Sequence, residues 1–423
     1  MSTSQVIPRK NASTAKQIPN NLDSFRPPYK EPGHPQEESK HSASFGAANY
    51  NNNHKNNSKQ KEGTPQKNSN FVDLAYIHVN DGKHPHMGAT SPQDGNTTAL
   101  EVGLYVPDVT HLRNHPPPMS WTAEQLQREC QVRDKTYEAL QRIRIADNPS
   151  QPPPRPQKLF CAIYSMQKNR NNYQAIRETW GPKCDGFMIG TDPNHTLPAE
   201  DAVHIAHAGL EEYQNMYQKV RSIWSYIYDH YYEDYDWFHI GGDDMMVLVE
   251  NLRAYVESEE IQRAAYGGST TPSNQKQVPL FLGGSIAYAG DMKRVYQTGG
   301  PGYTLNKAAL KKLVVEGLPR CGDEKRVSWE DIVISRLFRE MNITAYSTTD
   351  QDNGVRYNHY GPATHYFGEE PDFYPNWTAP LHYNRGQNYS SVHSISFHYI
   401  PPRNMRRFYA LLYGLCPAMN KNK

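Results

Sequence analysis

The stretch EEYQNMYQKVRSIWSYIYDHYYEDYDWFHIGGDDMMVLVENL, residues 211–252, decides how this chain is read. Its first half places Tyr213, Met216, Tyr217, Val220, Ile223, Trp224 and Ile227 at i, i+3, i+4, i+7 spacing, which predicts a long amphipathic helix. DWFHIGG follows as a short apolar run of strand character ending in two glycines. Asp243 and Asp244 come next. Adjacent carboxylates at a strand's carboxyl end suit a hard divalent cation, whose charge can neutralise a diphosphate. The competing reading is a cap on a helix beginning near Met246.

The same alternation extends in both directions. KLFCAIYSM from Lys158, GFMIGT and AVHIAH read as strands, and RNNYQAIRETWG as a short helix stopped by Gly181. MVLVENLRAYVE, GYTLNKAALKKLV and SWEDIVISRLFREM read as further helices. Strands alternating with helices predict an α/β fold with a mostly parallel central sheet covered on both faces, over residues 158–423. Ligands of such sheets gather at the carboxyl ends of the strands, where GGDD falls.

Residues 1–157 differ in texture. Asn, Ser, Pro, His, Gln and Lys dominate, a composition that buries too little apolar surface to offset ordering entropy, so the region is expected to be largely disordered and stem-like. Within it, residues 120–146 predict a helix capped by Ser120 or Thr122, ended by NPSQPPPRPQ.

Composition excludes some functions. The 423 residues carry 45 Lys+Arg against 44 Asp+Glu, net +1, so no global field gathers nucleic acid or anionic lipid. A hydrophobic fraction of 37% and a mean hydropathy of −0.83 agree with a partly unpacked chain. No stretch approaches the roughly 18 apolar residues of a membrane span, and the residues after Met1 lack a signal-peptide core, so any anchor or signal is expected to lie outside this chain. Tyrosines outnumber phenylalanines 29 to 12, and their amphipathic rings suit sugar clefts as well as an ordinary core. Five cysteines allow two disulfides, and Asn194-His-Thr, Asn342-Ile-Thr, Asn376-Trp-Thr and Asn388-Tyr-Ser are glycosylation tripeptides, both pointing toward an oxidising compartment.

Five blocks, taken in order, resemble the inverting β-1,3-glycosyltransferases of glycosyltransferase family 31, most closely the core 1 β-1,3-galactosyltransferase branch. They are AIRETWGPKC, residues 213–256, TGGPGYTLNKAAL, SWEDIVISRLFREMNI and SISFHYIPPRNM, and the resemblance covers residues 158–417. It implies a GT-A type fold, UDP-galactose as donor, Mn2+ as cofactor, transfer in β-1,3 linkage to a glycan or glycoprotein acceptor, and residence in the Golgi lumen as a type II membrane protein, any membrane contact running through an anchor not in this chain. A homodimer is the partner option beyond these substrates. By resemblance Asp244 ligates the metal, with Asp243 beside it contacting metal or ribose. Gly242 stands where the family's acidic triplet begins, so one oxygen donor is missing.

His398 is the implied second ligand. Alternation in HSISFHYI sets Ile395, Phe397 and Tyr399 on one face and Ser394, Ser396 and His398 on the other, and histidine with carboxylates suits Mn2+ better than Ca2+. Asp331 is the implied general base, against a capping-box reading of Ser328 to Asp331. Arg177 and Lys219 are expected to contact the diphosphate or base, Gly300 to let backbone approach the sugar, and Tyr303 to stack on it, each with an ordinary helix, turn or core role as its rival. Trp329 is a candidate wall of the acceptor site or a core residue. The resemblance also pairs Cys161 with Cys184 and leaves Cys130, Cys321 and Cys416 unassigned. The alternatives are a fringe-like β-1,3-N-acetylglucosaminyltransferase, and a non-catalytic chaperone or glycan-binding relative.

Overall fold

The computed structural model describes residues 106, 108–147, 156–192, 201–268, 276–321 and 326–416, all within one compact unit, Asn70–Lys423. Strand β1 (Leu159–Tyr164) is the apolar run LFCAIY, and its residues feed two cores alternately. Leu159, Cys161 and Ile163 enter one, Phe160 and Ala162 the other. The first core is completed by helices Arg170–Arg177, Val249–Glu257 and Pro402–Leu412, the second by Met216–Tyr231, Lys307–Lys312 and Glu330–Glu340. Two-sided burial explains why β1 shows no polar alternation.

The remaining strands are β2 (Gly186–Thr191), β3 (Ala202–His204), β4 (Trp237–Gly242), β5 (Met246–Val247), β6 (Phe281–Gly283), β7 (Ser285–Ala287), β8 (Val295–Gln297), β9 (Tyr303–Asn306), β10 (Ala345–Tyr346), β11 (Tyr357–Asn358) and β12 (Ser396–Phe397). Seven form the central sheet in the order β10-β6-β9-β4-β1-β2-β3, in which β9 alone runs antiparallel to its neighbours. The chain steps outward from β1 to β2 and β3, then returns to place β4 on the other flank of β1. Their parallel pairing sets Tyr164 opposite Gly242, so Ser165 and Asp243 leave the sheet side by side at the point where strand order reverses. A second sheet, β11-β12-β5, covers that end.

Several expectations need correction. Met246 and Val247 are not helical: they form β5, antiparallel to β12, and the helix begins only at Val249. Tyr303–Asn306 is likewise a strand before its helix, because two-sided pairing to β4 and β6 overrides the helical reading of GYTLN. The helix placed over 120–146 is two, Ala123–Gln131 and Lys135–Leu140, each with its own cap, Thr122 in a capping box with Gln125 and Asp134 on Tyr137. This segment packs on the domain. Leu112, Leu140 and Ile143 join the first core, and Arg407, almost fully buried, donates to Asp134. Cys130 bonds Cys416 across 286 residues of sequence, while Cys161 bonds Cys184 as expected and Cys321 stays free and buried. Residues 1–105, 107 and 148–155 of the N-terminal region, and Asn194, lie outside the described residues. Among the described residues no helix is long and apolar enough to cross a membrane.

Replacing Cys130 and Cys416 together by alanine is expected to cost about 2–4 kcal/mol, since the bond closes a very long loop in the unfolded chain. Limited proteolysis should then cut residues 108–147 first. Unchanged stability and digestion would contradict the anchoring described here.

Candidate active site

Asp243 follows β4 directly and is nearly buried, 7% exposed. Ser165 and Asn172 donate to its two oxygens, the latter at 3.0 Å. Burial still pushes its pKa up to about 6, with the charge of Asp244 acting in the same direction against the hydrogen bonds from Ser165 and Asn172. Asp244 is more open, its side chain 27% exposed, and its Oδ1 lies 3.5 Å from His398 Nε2. Strand pairing creates this approach: β12 runs against β5 with Phe397 opposite Met246, and the Ile400 N–H donates to the Asp244 carbonyl at 2.8 Å. Neither aspartate caps a helix, because the one beyond starts five residues after Asp244 and has no side-chain cap.

His398 sits just past the end of β12. The expected alternation stops there: Ser394 and Ser396 are as buried as Ile395 and Phe397, because both faces of this strand are covered. Tyr399 turns outward, 48% exposed, at a positive φ of 56°. His398 Nδ1 lies 3.3 Å from the His359 carbonyl, which suits a proton on Nδ1 and leaves Nε2 as the lone-pair side facing Asp244. On its other flank, a Cβ at Gly300 would fall 2.1 Å from His398 Nδ1, so only glycine lets this turn close on the imidazole. The sequence reading placed Gly300 at a close approach to the sugar; the group that the fold brings against it is His398.

Asp331 occupies the first turn of Glu330–Glu340 and faces the same turn. Its Oδ2 accepts from the Gly299 N–H at 2.9 Å and its Oδ1 from the Ile332 N–H at 2.8 Å. The Ser328 capping box is not formed, since the helix has no side-chain cap. Burial raises the Asp331 pKa above the ordinary range, and the two N–H groups and His398 restrain the rise. Glu330 is more extreme. Burial, then the charge of Asp331, hold it toward the neutral form, Tyr303 donates to its Oε2 at 3.1 Å, and its buried Oε1 has no hydrogen-bond partner. Tyr164 borders Glu330, Asp331 and Asp244, whose charges add to burial in raising its pKa.

The structure therefore brings Asp243, Asp244, His398, Asp331 and Gly300 to one end of the sheet. Lys219 reaches it indirectly: its Nζ donates to the Ser165 carbonyl and to Glu211. Burial alone would raise Glu211, yet hydrogen bonding from His207 and the charge of Lys219 bring it down to about 2. Arg177 is engaged elsewhere, 2.8 Å from buried Asp201. Tyr303 offers no stacking ring. It is fully buried, its hydroxyl between Trp224 and Glu330. Trp329 is partly buried and packs against the second core. Sequence reasoning missed Ser165, Asn172, Tyr164 and Glu330, whose roles depend on which strands and turns are neighbours.

Among the described residues no group of three or more His, Cys, Asp and Glu side chains converges as a metal cage. The donor chemistry nonetheless fits a divalent ion of limited protein ligation. Asp244 and His398 are spaced so that one ion with ligand bonds of about 2 Å could bridge them. Asp243, its oxygens engaged by Ser165 and Asn172, holds the acidic turn in place. A side chain at Gly242 would meet Asp244 Oδ1 at 3.2 Å, so the missing triplet carboxylate coincides with a crowded position.

Comparison with known proteins follows the same line. No family model matches the chain. It is 23% identical over 263 residues to glycoprotein-N-acetylgalactosamine 3-beta-galactosyltransferase 1 of Xenopus laevis, covering 61% of this chain and 67% of that protein. It is 25% identical over 191 residues to chondroitin sulfate synthase 3 of Homo sapiens, 44% of this chain but 21% of the synthase, and 25% identical over 193 residues to the Mus musculus synthase. The chain thus spans about a fifth of the length of the synthases it matches. These matches make the chain a distant homologue of core 1 β-1,3-galactosyltransferase and chondroitin sulfate synthase, similar to glycosyltransferases of family 31.

Proposed function

We propose that residues 158–423 form a GT-A type domain that moves galactose from UDP-galactose, with inversion and in β-1,3 linkage, onto a glycan or glycoprotein acceptor in the Golgi lumen. The observation that carries this reading is the convergence of Asp244 and His398 with Asp331 at one sheet end. Asp244 and His398 would hold Mn2+, which supplies charge neutralisation for the departing diphosphate. Asp331 takes the proton of the acceptor hydroxyl as its oxygen bonds to C1 of galactose, the bond from C1 to the diphosphate breaks on the opposite face, and UDP leaves. The Gly299 and Ile332 N–H groups fix the Asp331 carboxylate for that role, and burial biases neighbouring Glu330 toward its neutral form. A reading as a non-catalytic glycan-binding relative draws on Gly242 and the sparse protein ligation, and predicts sugar binding without UDP release.

Asp331→Asn is expected to lower kcat by about 10²–10⁴-fold, the usual worth of a positioned base, with little change in KM for UDP-galactose. UDP release from UDP-galactose measured with an acceptor panel checks this, and equal activity in the variant would remove Asp331 from the reaction. The pH dependence has a definite sign. Asp331 works ionised and burial raises its pKa, so kcat should fall as pH drops through a value above about 3.9, the unperturbed Asp figure. A kcat flat down to pH 4 would contradict the buried environment assigned to it.

A further inference from the structure

We propose that Asn342 is an N-glycan acceptor and that its glycan shields the open edge of the central sheet. This rests on the lumenal reading above. Of the tripeptides Asn342-Ile-Thr, Asn376-Trp-Thr and Asn388-Tyr-Ser, the first is the one whose asparagine and third residue are both exposed. Thr378 is fully buried, its hydroxyl donating to the Tyr374 carbonyl and accepting from Arg385. The Asn388 side-chain oxygen accepts from Arg142. Asn342 and Thr344 are both exposed.

The backbone around Asn342 is fixed rather than loose. The Asn342 N–H donates to the Arg339 carbonyl at 3.0 Å and the Ile343 N–H to the Phe338 carbonyl at 2.9 Å, the paired bonds of a Schellman helix end, with Asn342 at φ 59°. Ile343 packs into the second core, so the residue before it is turned outward. Position 342 needs a residue that tolerates a left-handed backbone, for which glycine suffices. Asparagine followed by an exposed threonine goes beyond that need.

The place gives the glycan its role. Helix Glu330–Glu340 carries Asp331 at its first turn and ends just before Asn342, about 16 Å farther along at 1.5 Å per residue, so a glycan there leaves the catalytic end clear. Three residues after Asn342 begins β10, the edge strand of the seven-stranded sheet, a partly exposed strand paired among the described residues to β6, its Tyr346 carbonyl accepting from the Gln297 side chain. Open edges template pairing with other chains, and natural proteins cover or blunt them.

The test secretes the full 423-residue chain from a eukaryotic host behind a cleavable signal, alongside Asn342→Gly, which keeps the left-handed turn, and Thr344→Ala, which keeps Asn342. Peptide mass spectrometry after N-glycosidase treatment is expected to show Asn342 converted to aspartate in the parent, and both variants to lose one glycan's mass and to self-associate more on size-exclusion chromatography. A secreted parent with both disulfides formed and an unmodified Asn342 peptide overturns the proposal alone. Reduced cysteines and no glycan overturn it together with the lumenal reading. Glycan loss with unchanged association overturns the shielding role.

Discussion

The antiparallel pairing of β5 with β12 is the constraint on which the candidate site depends. Asp244 and His398 are more than 150 residues apart in sequence, yet the two residue pairs of β5 with β12 and one backbone hydrogen bond hold their side chains within reach of a common ligand. Neither residue projects from a long helix or an internal strand of the main sheet. Asp244 leaves the end of β4 with its position fixed by the β1 pairing, and the small β11-β12-β5 sheet carries His398 across to meet it. Ser165, Asn172 and Lys219 then tie the acidic turn to β1 and to the helices on both faces.

Burial and charge divide the carboxylates into roles. Asp243 is enclosed and hydrogen-bonded, whereas Asp244 stays partly open toward His398. Asp331 is buried but supplied with two backbone donors, whereas Glu330, one residue earlier, meets a tyrosine hydroxyl and an apolar surround. Carboxyl groups whose environments push their proton affinities apart are a recurring mark of acid–base sites. The Gly299-Gly300 turn links the two ends, donating to Asp331 through Gly299 and closing on His398 through Gly300.

Much of the main sheet was legible because its strands are short apolar runs between strongly periodic helices, and periodicity survives without knowledge of partners. What failed was local in sequence but set by distant pairing. Met246 and Val247 look helical until β12 lies beside them, and GYTLN looks like a helix start until it is seen between β4 and β6. The alternation drawn through His398 failed because that strand is covered on both faces and ends at Phe397. Asp244, His398 and Asp331 were singled out through ordered motifs, and the fold brings them to one end of the sheet. Ser165 and Glu330 were not assigned roles, because nothing in a single sequence says that β1 and β4 share a register or that Tyr303 points into the core. Residues 108–147 were missed as part of the folded unit because their anchors, Arg407 and Cys416, stand at the far end of the chain.

The central claim is that Asp244 and His398 serve one ion that carries a nucleotide diphosphate. Calorimetric titration of UDP into the full chain with and without Mn2+, on the parent, Asp244→Asn, His398→Gln and the double variant, tests it directly. The account predicts Mn2+-dependent binding that each single change abolishes, with the double change no worse than either, as expected of two ligands sharing one site. Binding of equal strength without Mn2+, or losses that add independently, would contradict it.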